Sequence, residues 1–195
     1  MKKFRAVKEL PTLVTERLLL RAWREEDCLD LYEYAKNPLV GPSAGWLPHK
    51  SMEESLTTIR RYNRNRRECD TWAIVLQEEM RAIGSIGLHK RSPLPTKKDE
   101  VVRELGYVLN PAYWGHGYMP EAAEKIIAHA FYEDDVDVLW CAHYDFNTNS
   151  KRVIEKTGFS YKFGRDEIRY QVDGKRFWSL FYSLKKEDYL EKKKG

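Results

Sequence analysis

Gly115 and Gly117, one residue apart, stand just before a helix-forming segment that has Pro120 in its first turn. Glycine lacks a Cβ, so the chain can turn tightly there and let a ligand approach its backbone N–H groups. Pro120 suits a first helical turn, where its missing donor would have no partner anyway. Free N–H groups and the positive end of a helix dipole together make a site for a phosphate-sized anion. Two other readings of this glycine pair stand beside that one. It can be a plain strand-to-helix turn, or part of a dinucleotide fingerprint G-x-G-x-x-G. The fingerprint is disfavoured because its third glycine position is Pro120. A Walker A loop is excluded, since no Gly-Lys-Ser/Thr follows. The five histidines, His49, His89, His116, His129 and His143, show no metal-ligand spacing, so no metal is expected.

The elements that must hold this turn can be read from periodicity. Residues 15–22, rich in Leu, read as a strand, and Cys28, Leu31, Tyr32 and Ala35 recur at helical spacing. A loop over 37–50 carries Gly41, Pro42, Gly45 and Pro48. Ser51 with Glu54 three residues on forms a capping-box pattern that opens a second helix. Met52, Leu56 and Ile59 are its expected buried face, and its arginines (Arg60, Arg61, Arg64, with Arg66 and Arg67 beyond) are expected in solvent. Residues 71–76 and 82–88 read as strands joined by a polar turn, 92–100 as a surface loop and 101–109 as a longer strand. Ala122, Ala123, Ile126, Ile127, Ala130 and Phe131 form the stripe of a third helix. Residues 138–144 read as a strand, and 149–157 as a short helix closed by Gly158. Residues 159–184 read as two antiparallel strands around Val172-Asp173-Gly174. The expected class is α+β, with antiparallel hairpins and one β-α-β unit.

The 195 residues are 42% hydrophobic and 33% charged, a composition of a soluble protein with one domain over 1–195 and a core over about 13–184. Lys192, Lys193 and Lys194 account for three charges of the net +4, and the tail over 185–195 is expected to be a solvated, frayed end. The charge balance gives no argument for nucleic acid. No apolar run reaches the roughly 18–20 residues of a membrane span, and 1–14 do not read as a secretory signal. Cys28, Cys69 and Cys141 are scattered, so disulfides and zinc ribbons are not expected and a cytoplasmic setting is the simpler one.

The run 105–122, with Trp114-Gly115-His116-Gly117-Tyr118, resembles the acyl-CoA pyrophosphate loop of the GNAT acetyltransferase superfamily. Asn147-Thr148-Asn149-Ser150-Lys151-Arg152-Val153-Ile154-Glu155-Lys156-Thr157-Gly158-Phe159 resembles the motif B helix of the same superfamily. Thr15-Glu16-Arg17-Leu18-Leu19-Leu20-Arg21 is similar to the first strand of its RimJ/RimL-like branch, which acetylates ribosomal-protein N-termini. The resemblance spans about 13–184. It implies a GNAT fold, with a central parallel strand pair that splays, and transfer of an acetyl group from acetyl-CoA to a primary amine by direct attack. The amine would be a protein N-terminus or a small molecule, and a second copy of the chain is a further partner to consider.

The resemblance also implies roles. The backbone of Tyr107, Val108 and Leu109 would pair with pantetheine, and Trp114, Gly115, His116, Gly117, Tyr118 and Met119 would surround the pyrophosphate. Met119 departs from the small residue usual there. Asn147 would bond the pantetheine arm, or cap the short helix, and Arg152 would also meet the cofactor. Glu104 shares a strand face with Val102, Gly106 and Val108, where apolar surroundings would raise its pKa and suit a general base. The competing role for Glu104 is an ion pair with an arginine across the sheet. A backbone N–H near Val108 could meet the oxyanion. Ile154 stands where many members carry a tyrosine acid; Ser150, one turn earlier, matches the place of a serine proposed as acid in the RimL-type pattern, with a helix-capping hydroxyl as the alternative. Trp46 and His49, in the loop that lies over the acceptor site in this fold, would contact the acceptor. Two rival functions remain at this level. One is a non-catalytic acyl-CoA sensor, and the other is an interaction protein that uses its arginine-rich helix on RNA.

Overall fold

Trp72 to Leu76 is apolar at every position, which suits a strand buried on both faces rather than one half-exposed. A computed structural model describes residues 9–169, 172 and 174–194 and shows that arrangement. The strands are β1 (Leu13–Val14), β2 (Leu18–Ala22), β3 (Cys69–Leu76), β4 (Arg81–His89), β5 (Val102–Leu109), β6 (Val138–Tyr144), β7 (Ser160–Arg169) and β8 (Lys175–Lys185). The helices are α1 (Cys28–Ala35), α2 (Gly41–Ala44), α3 (Met52–Arg64), α4 (Tyr118–Tyr132), α5 (Thr148–Lys156) and α6 (Lys186–Lys192). The strands form one eight-stranded sheet in the order β1-β2-β3-β4-β5-β6-β8-β7. All neighbours are antiparallel except β5 and β6, which need the α4 crossover to run side by side.

Alternation along β3 sends Trp72, Ile74 and Leu76 toward α4 and Ala73 and Val75 toward α1 and α3. The α4 stripe is fully buried, with Ala122, Ala123, Ile126, Ile127, Ala130 and Phe131 each 0% exposed. Each large apolar side chain removed from water there contributes about 1.5–3 kcal/mol.

Several details depart from the sequence-based expectation. The strand expected over 15–22 is interrupted, because the Thr15 N–H donates to the Leu18 carbonyl (2.9 Å) and separates β1 from β2 by a turn. The loop over 37–50 contains the single turn α2. Met52 is exposed; the buried face of α3 runs through Ser55, Thr58 and Ile59, with Leu56 and Tyr62 half-buried beside it. Spacing of three and four residues sets that face, and it takes in small polar residues that a reading by hydrophobicity passes over. Ser51 does cap α3, accepting from the Glu54 N–H at 3.2 Å, while the Glu54 carboxylate reaches the Lys50 N–H at 2.7 Å. The arginines are not all free in solvent: Arg60 chelates Glu25 and Arg66 pairs with Asp70. The tail is not frayed over its length, since α6 docks Tyr189, 6% exposed, against Phe131 and Tyr132 of α4. Of the turn between β7 and β8, Asp173 lies outside the described residues, as do 1–8.

Candidate active site at the splayed strands

β5 and β6 pair from Val102 with Val138 to Leu105 with Cys141. Among the described residues no rung joins 106–109 to 142–144, so the second half of β5 presents a free backbone edge. A cavity of about 830 Å³ opens along it. Its walls are β5, β6, the start of α4, α5, and on the opposite face of the sheet Trp46, Tyr62 and the ends of β3 and β4.

At one end of the cavity the chain turns into α4. Gly115 and Gly117 both have φ in the left-handed region, +84° and +81°. A Cβ at Gly115 would meet nothing within 4 Å, so the left-handed backbone rather than crowding asks for glycine there. The first backbone bond of α4 joins the Glu121 N–H to the Gly117 carbonyl, and among the described residues no backbone acceptor serves the N–H groups of 115–117. Met119, 4% exposed, points its side chain into the core, which leaves the backbone side of the first turn facing outward. The departure at Met119 therefore places most of its side-chain bulk in the core cluster. Trp114 donates its indole N–H to the Leu109 carbonyl at 2.9 Å and closes the end of β5. His116 stacks on Tyr118 (centroids 5.7 Å apart), and its Nδ1 lies 3.0 Å from the Trp114 carbonyl.

Glu121, a residue without an expected role, anchors this turn. It accepts from the Thr15 hydroxyl (2.6 Å), the Arg17 N–H (2.9 Å) and the Arg17 guanidinium (2.7 Å). Burial works to raise its pKa, but the bonds from Thr15 and Arg17 outweigh it and hold the carboxyl below its ordinary value. Arg17 also donates to the His116 carbonyl (2.9 Å) and lies over the Tyr118 ring at 4.5 Å. The Thr15-Glu16-Arg17 pattern was visible in the sequence, but its partner 106 residues away from Thr15 was not.

At the middle of the cavity Ser150, in the first turn of α5, sits 3.0 Å from the Tyr107 hydroxyl. The cap of α5 is Asn147, whose Oδ1 accepts from the Ser150 N–H at 3.1 Å. Ser150 is therefore not a capping hydroxyl. Asn147 also donates to the Ser43 carbonyl (3.2 Å), which ties α2 to α5. Burial, with Cys141 nearby, pushes the Tyr107 phenol well above its ordinary pKa, so it is neutral at pH 7 and able to donate. Arg152 lines the cavity from α5 and meets no acceptor among the described residues.

On the opposite face Glu104 also lines the cavity, but its surroundings are not the apolar ones expected. Arg91, just beyond β4, holds both its oxygens, at 2.7 and 3.0 Å. The cross-sheet arginine pair is thus formed, with a partner that sequence could not single out. Trp46 stands in the cavity wall, packed over Gly41, where a Cβ would come within 2.7 Å of its ring. His49 does not line the cavity; its Nδ1 lies 2.8 Å from Ser55 Oγ, and burial lowers its pKa. Tyr62, Ser85, His89 and Arg91 complete the wall. They lie on separate elements without a shared motif, which is why the sequence reading passed over them.

The candidate site is thus a mixed sheet opened at its one parallel pair, with a glycine turn and a helix start at the opening. Residues 17–160 match the acetyltransferase (GNAT) domain, and the chain belongs to that family of acyltransferases. It is 24% identical over 178 residues to the uncharacterized N-acetyltransferase YoaA of Bacillus subtilis (strain 168), covering 90% of this chain and 97% of that one. The fold is similar to that of a GNAT-family acetyltransferase from Bacillus anthracis (TM-score 0.77, 22% identity, 91% of this chain and 99% of the other). It is also similar to RimL, a ribosomal L7/L12 alpha-N-protein acetyltransferase solved with coenzyme A (TM-score 0.73, 18% identity, 93% and 99% covered). Among the described residues no cluster of His, Cys, Asp and Glu could hold a metal ion, and no helix is long and apolar enough to cross a membrane.

Proposed function

We propose that the chain transfers an acetyl group from acetyl-CoA to a primary amine, as an N-acetyltransferase of the RimJ/RimL-like kind, by direct attack. The observation that carries this reading is the free edge of β5 running into the unpartnered N–H groups of the 115–117 turn. A pantetheine arm is amide-rich and extended, and its natural complement is an unpaired strand edge. Its pyrophosphate suits the start of α4 for the reasons of charge and N–H direction given above. In this reading the backbone of 107–109 holds the arm, 115–119 hold the pyrophosphate and Arg152 adds a cation at the α5 wall. The remaining amide hydrogen of Asn147 is free for a further bond to the arm. The acetyl thioester supplies an electrophilic carbonyl, and the protein supplies orientation, a proton acceptor and a proton donor. Ser150, backed by the neutral Tyr107, is the proton donor to the departing thiolate. Trp46, at the wall opposite α5, contacts the acceptor. Comparison with RimL and a ribosomal-protein-S5-alanine acetyltransferase of Vibrio fischeri favours a protein N-terminus as that acceptor.

The test is thermal unfolding with coenzyme A, acetyl-CoA, NAD and ATP, followed by coenzyme A release with amine acceptors. A ligand at a hundred times its Kd adds about 2.7 kcal/mol, a rise of roughly 5–10 °C for a chain of this length. The expected result is a rise with coenzyme A and acetyl-CoA and none with NAD. Equal melting temperatures in all four would end the reading. Binding without release for any amine would instead favour the acyl-CoA sensor.

A further inference from the structure

Four of the five histidines are spoken for. His49 bonds Ser55, His116 the Trp114 carbonyl, His129 pairs with Asp134 at 3.4 Å, and His143 meets the Tyr144 carbonyl and Tyr182. His89 alone has no hydrogen-bond or ion-pair partner among the described residues. It ends β4 on the cavity wall, in register with Glu104 of β5 on one side and Cys69 of β3 on the other. Its ring lies over Gly106, where a Cβ would stand 3.1 Å from Nε2 and 3.3 Å from Cδ2. Gly106 is also the first residue of β5 past the last rung shared with β6. The missing Cβ therefore lets an imidazole approach the strand backbone at the point where the free edge begins.

The charged and titratable groups facing His89 come from every neighbouring element. Arg91 follows it on the chain, Glu104 faces it from β5, Cys69 from β3, and Arg61 and Tyr62 of α3 complete that side of the cavity. Burial lowers the His89 pKa first, Arg91 adds to this, and Glu104 opposes it. The ring is accordingly neutral at pH 7 and lines the cavity with no side-chain hydrogen-bond partner among the described residues. Glu104, the other basic group on this face, has both oxygens taken by Arg91.

We infer that His89 is the general base of the transfer, accepting a proton from the acceptor amine, with the Glu104–Arg91 pair acting as its charged surroundings rather than as the base. The inference rests on the acetyl-transfer reading. The protonated amine gives one proton to the His89 ring and becomes neutral. Its nitrogen lone pair then forms the C–N bond to the acetyl carbon as the C–S bond breaks and its electron pair leaves with sulfur. The surplus proton on that nitrogen passes to Ser150 Oγ as Ser150 gives its own hydroxyl proton to the sulfur, so the serine is restored. The proton on His89 passes to water, so each turnover releases one proton with the amide and the free thiol.

The experiment measures coenzyme A release from acetyl-CoA, with an alanine-terminated peptide and with spermidine, from about pH 5 to about pH 9. Wild type, His89→Gln and Glu104→Gln are compared, with acetyl-CoA affinity and melting temperature measured alongside. His89→Gln is expected to lower kcat about a hundredfold or more and to remove the rise of kcat/KM with pH below about 6.5, with acetyl-CoA affinity kept. Glu104→Gln is expected to keep that rise. A His89→Gln enzyme with wild-type kcat and pH profile would overturn the inference, as would loss of the rise in Glu104→Gln alone. Should His89→Gln not fold, diethyl pyrocarbonate decides on the wild-type protein, with the modified histidine mapped by mass spectrometry. Activity that falls in step with His89 modification supports the base, and full activity with His89 modified overturns it. A wild-type protein that binds acetyl-CoA yet releases no coenzyme A with either amine overturns both this inference and the transfer reading. Failure of His89 alone leaves wild-type turnover intact.

Discussion

Ser150 illustrates how the surroundings of a single hydroxyl are set by its neighbours. Its Oγ and the Tyr107 hydroxyl are 3.0 Å apart, and burial keeps that phenol protonated well above neutral pH. Ile154, where a tyrosine acid was the family expectation, is instead 0% exposed and part of the core. The phenol near the site comes from β5 rather than from α5. A coenzyme A thiolate has a pKa of about 8.5 and needs modest help to leave, so the loss in Ser150→Ala is expected at the low end for acid catalysis. Steady-state kinetics should show kcat down about a hundredfold with acetyl-CoA affinity unchanged. An unchanged kcat would remove Ser150 from the mechanism.

At the scale of elements, the turn into α4 is held by a contact from the other end of the chain. Glu121 stands in the first turn of α4, where a carboxylate also complements the helix dipole, and receives Thr15 and Arg17 from the β1–β2 turn. Its pKa is depressed in the folded protein, so its stabilisation is full above the unfolded value of about 4.3 and is lost as pH falls through the lower folded value. Glu121→Gln is expected to cost about 1–3 kcal/mol at pH 7 in urea unfolding, with the difference from wild type shrinking below about pH 4. A difference that persists undiminished at acid pH would show that shape, not charge, is what Glu121 contributes. The same variant should weaken coenzyme A binding, because Arg17 then loses the partner that holds it against the His116 carbonyl.

Over the whole molecule, the site and the stability reserve lie apart. The splay of β5 from β6 leaves backbone unpaired at the cavity, while α4 and the far ends of β6 and β8 carry the packing. Helix α6 closes that packed end through Tyr189, which contacts Phe131 and Tyr132, with Lys193 reaching Glu124 at 3.5 Å. Tyr189→Ala should cost about 3 kcal/mol by chemical denaturation, a cost typical of truncating a buried aromatic. Isothermal titration should find coenzyme A affinity unaltered, since α6 contributes nothing to the cavity wall. A loss of affinity comparable to the loss of stability would mean that the two ends of the sheet are coupled.

The sequence by itself determined most of the elements and the glycine turn into α4, because these depend on local physics. The α4 stripe repeats at 3.6 residues, the strands follow their apolar runs, and Gly115, Gly117 and Gly158 take the left-handed φ values that their spacing implied. Local patterning could not decide which face of α3 is buried, nor that the tail folds back as α6, since both depend on what lies opposite. Tertiary structure alone brought Arg91 to Glu104, Glu121 to Arg17, Tyr107 to Ser150 and His89 over Gly106. Each of these pairs joins different elements, and its chemistry follows from the register of strands and the tilt of a helix against them. A side chain's type is written in the sequence, but its charge state and partner are set by the neighbours that folding supplies.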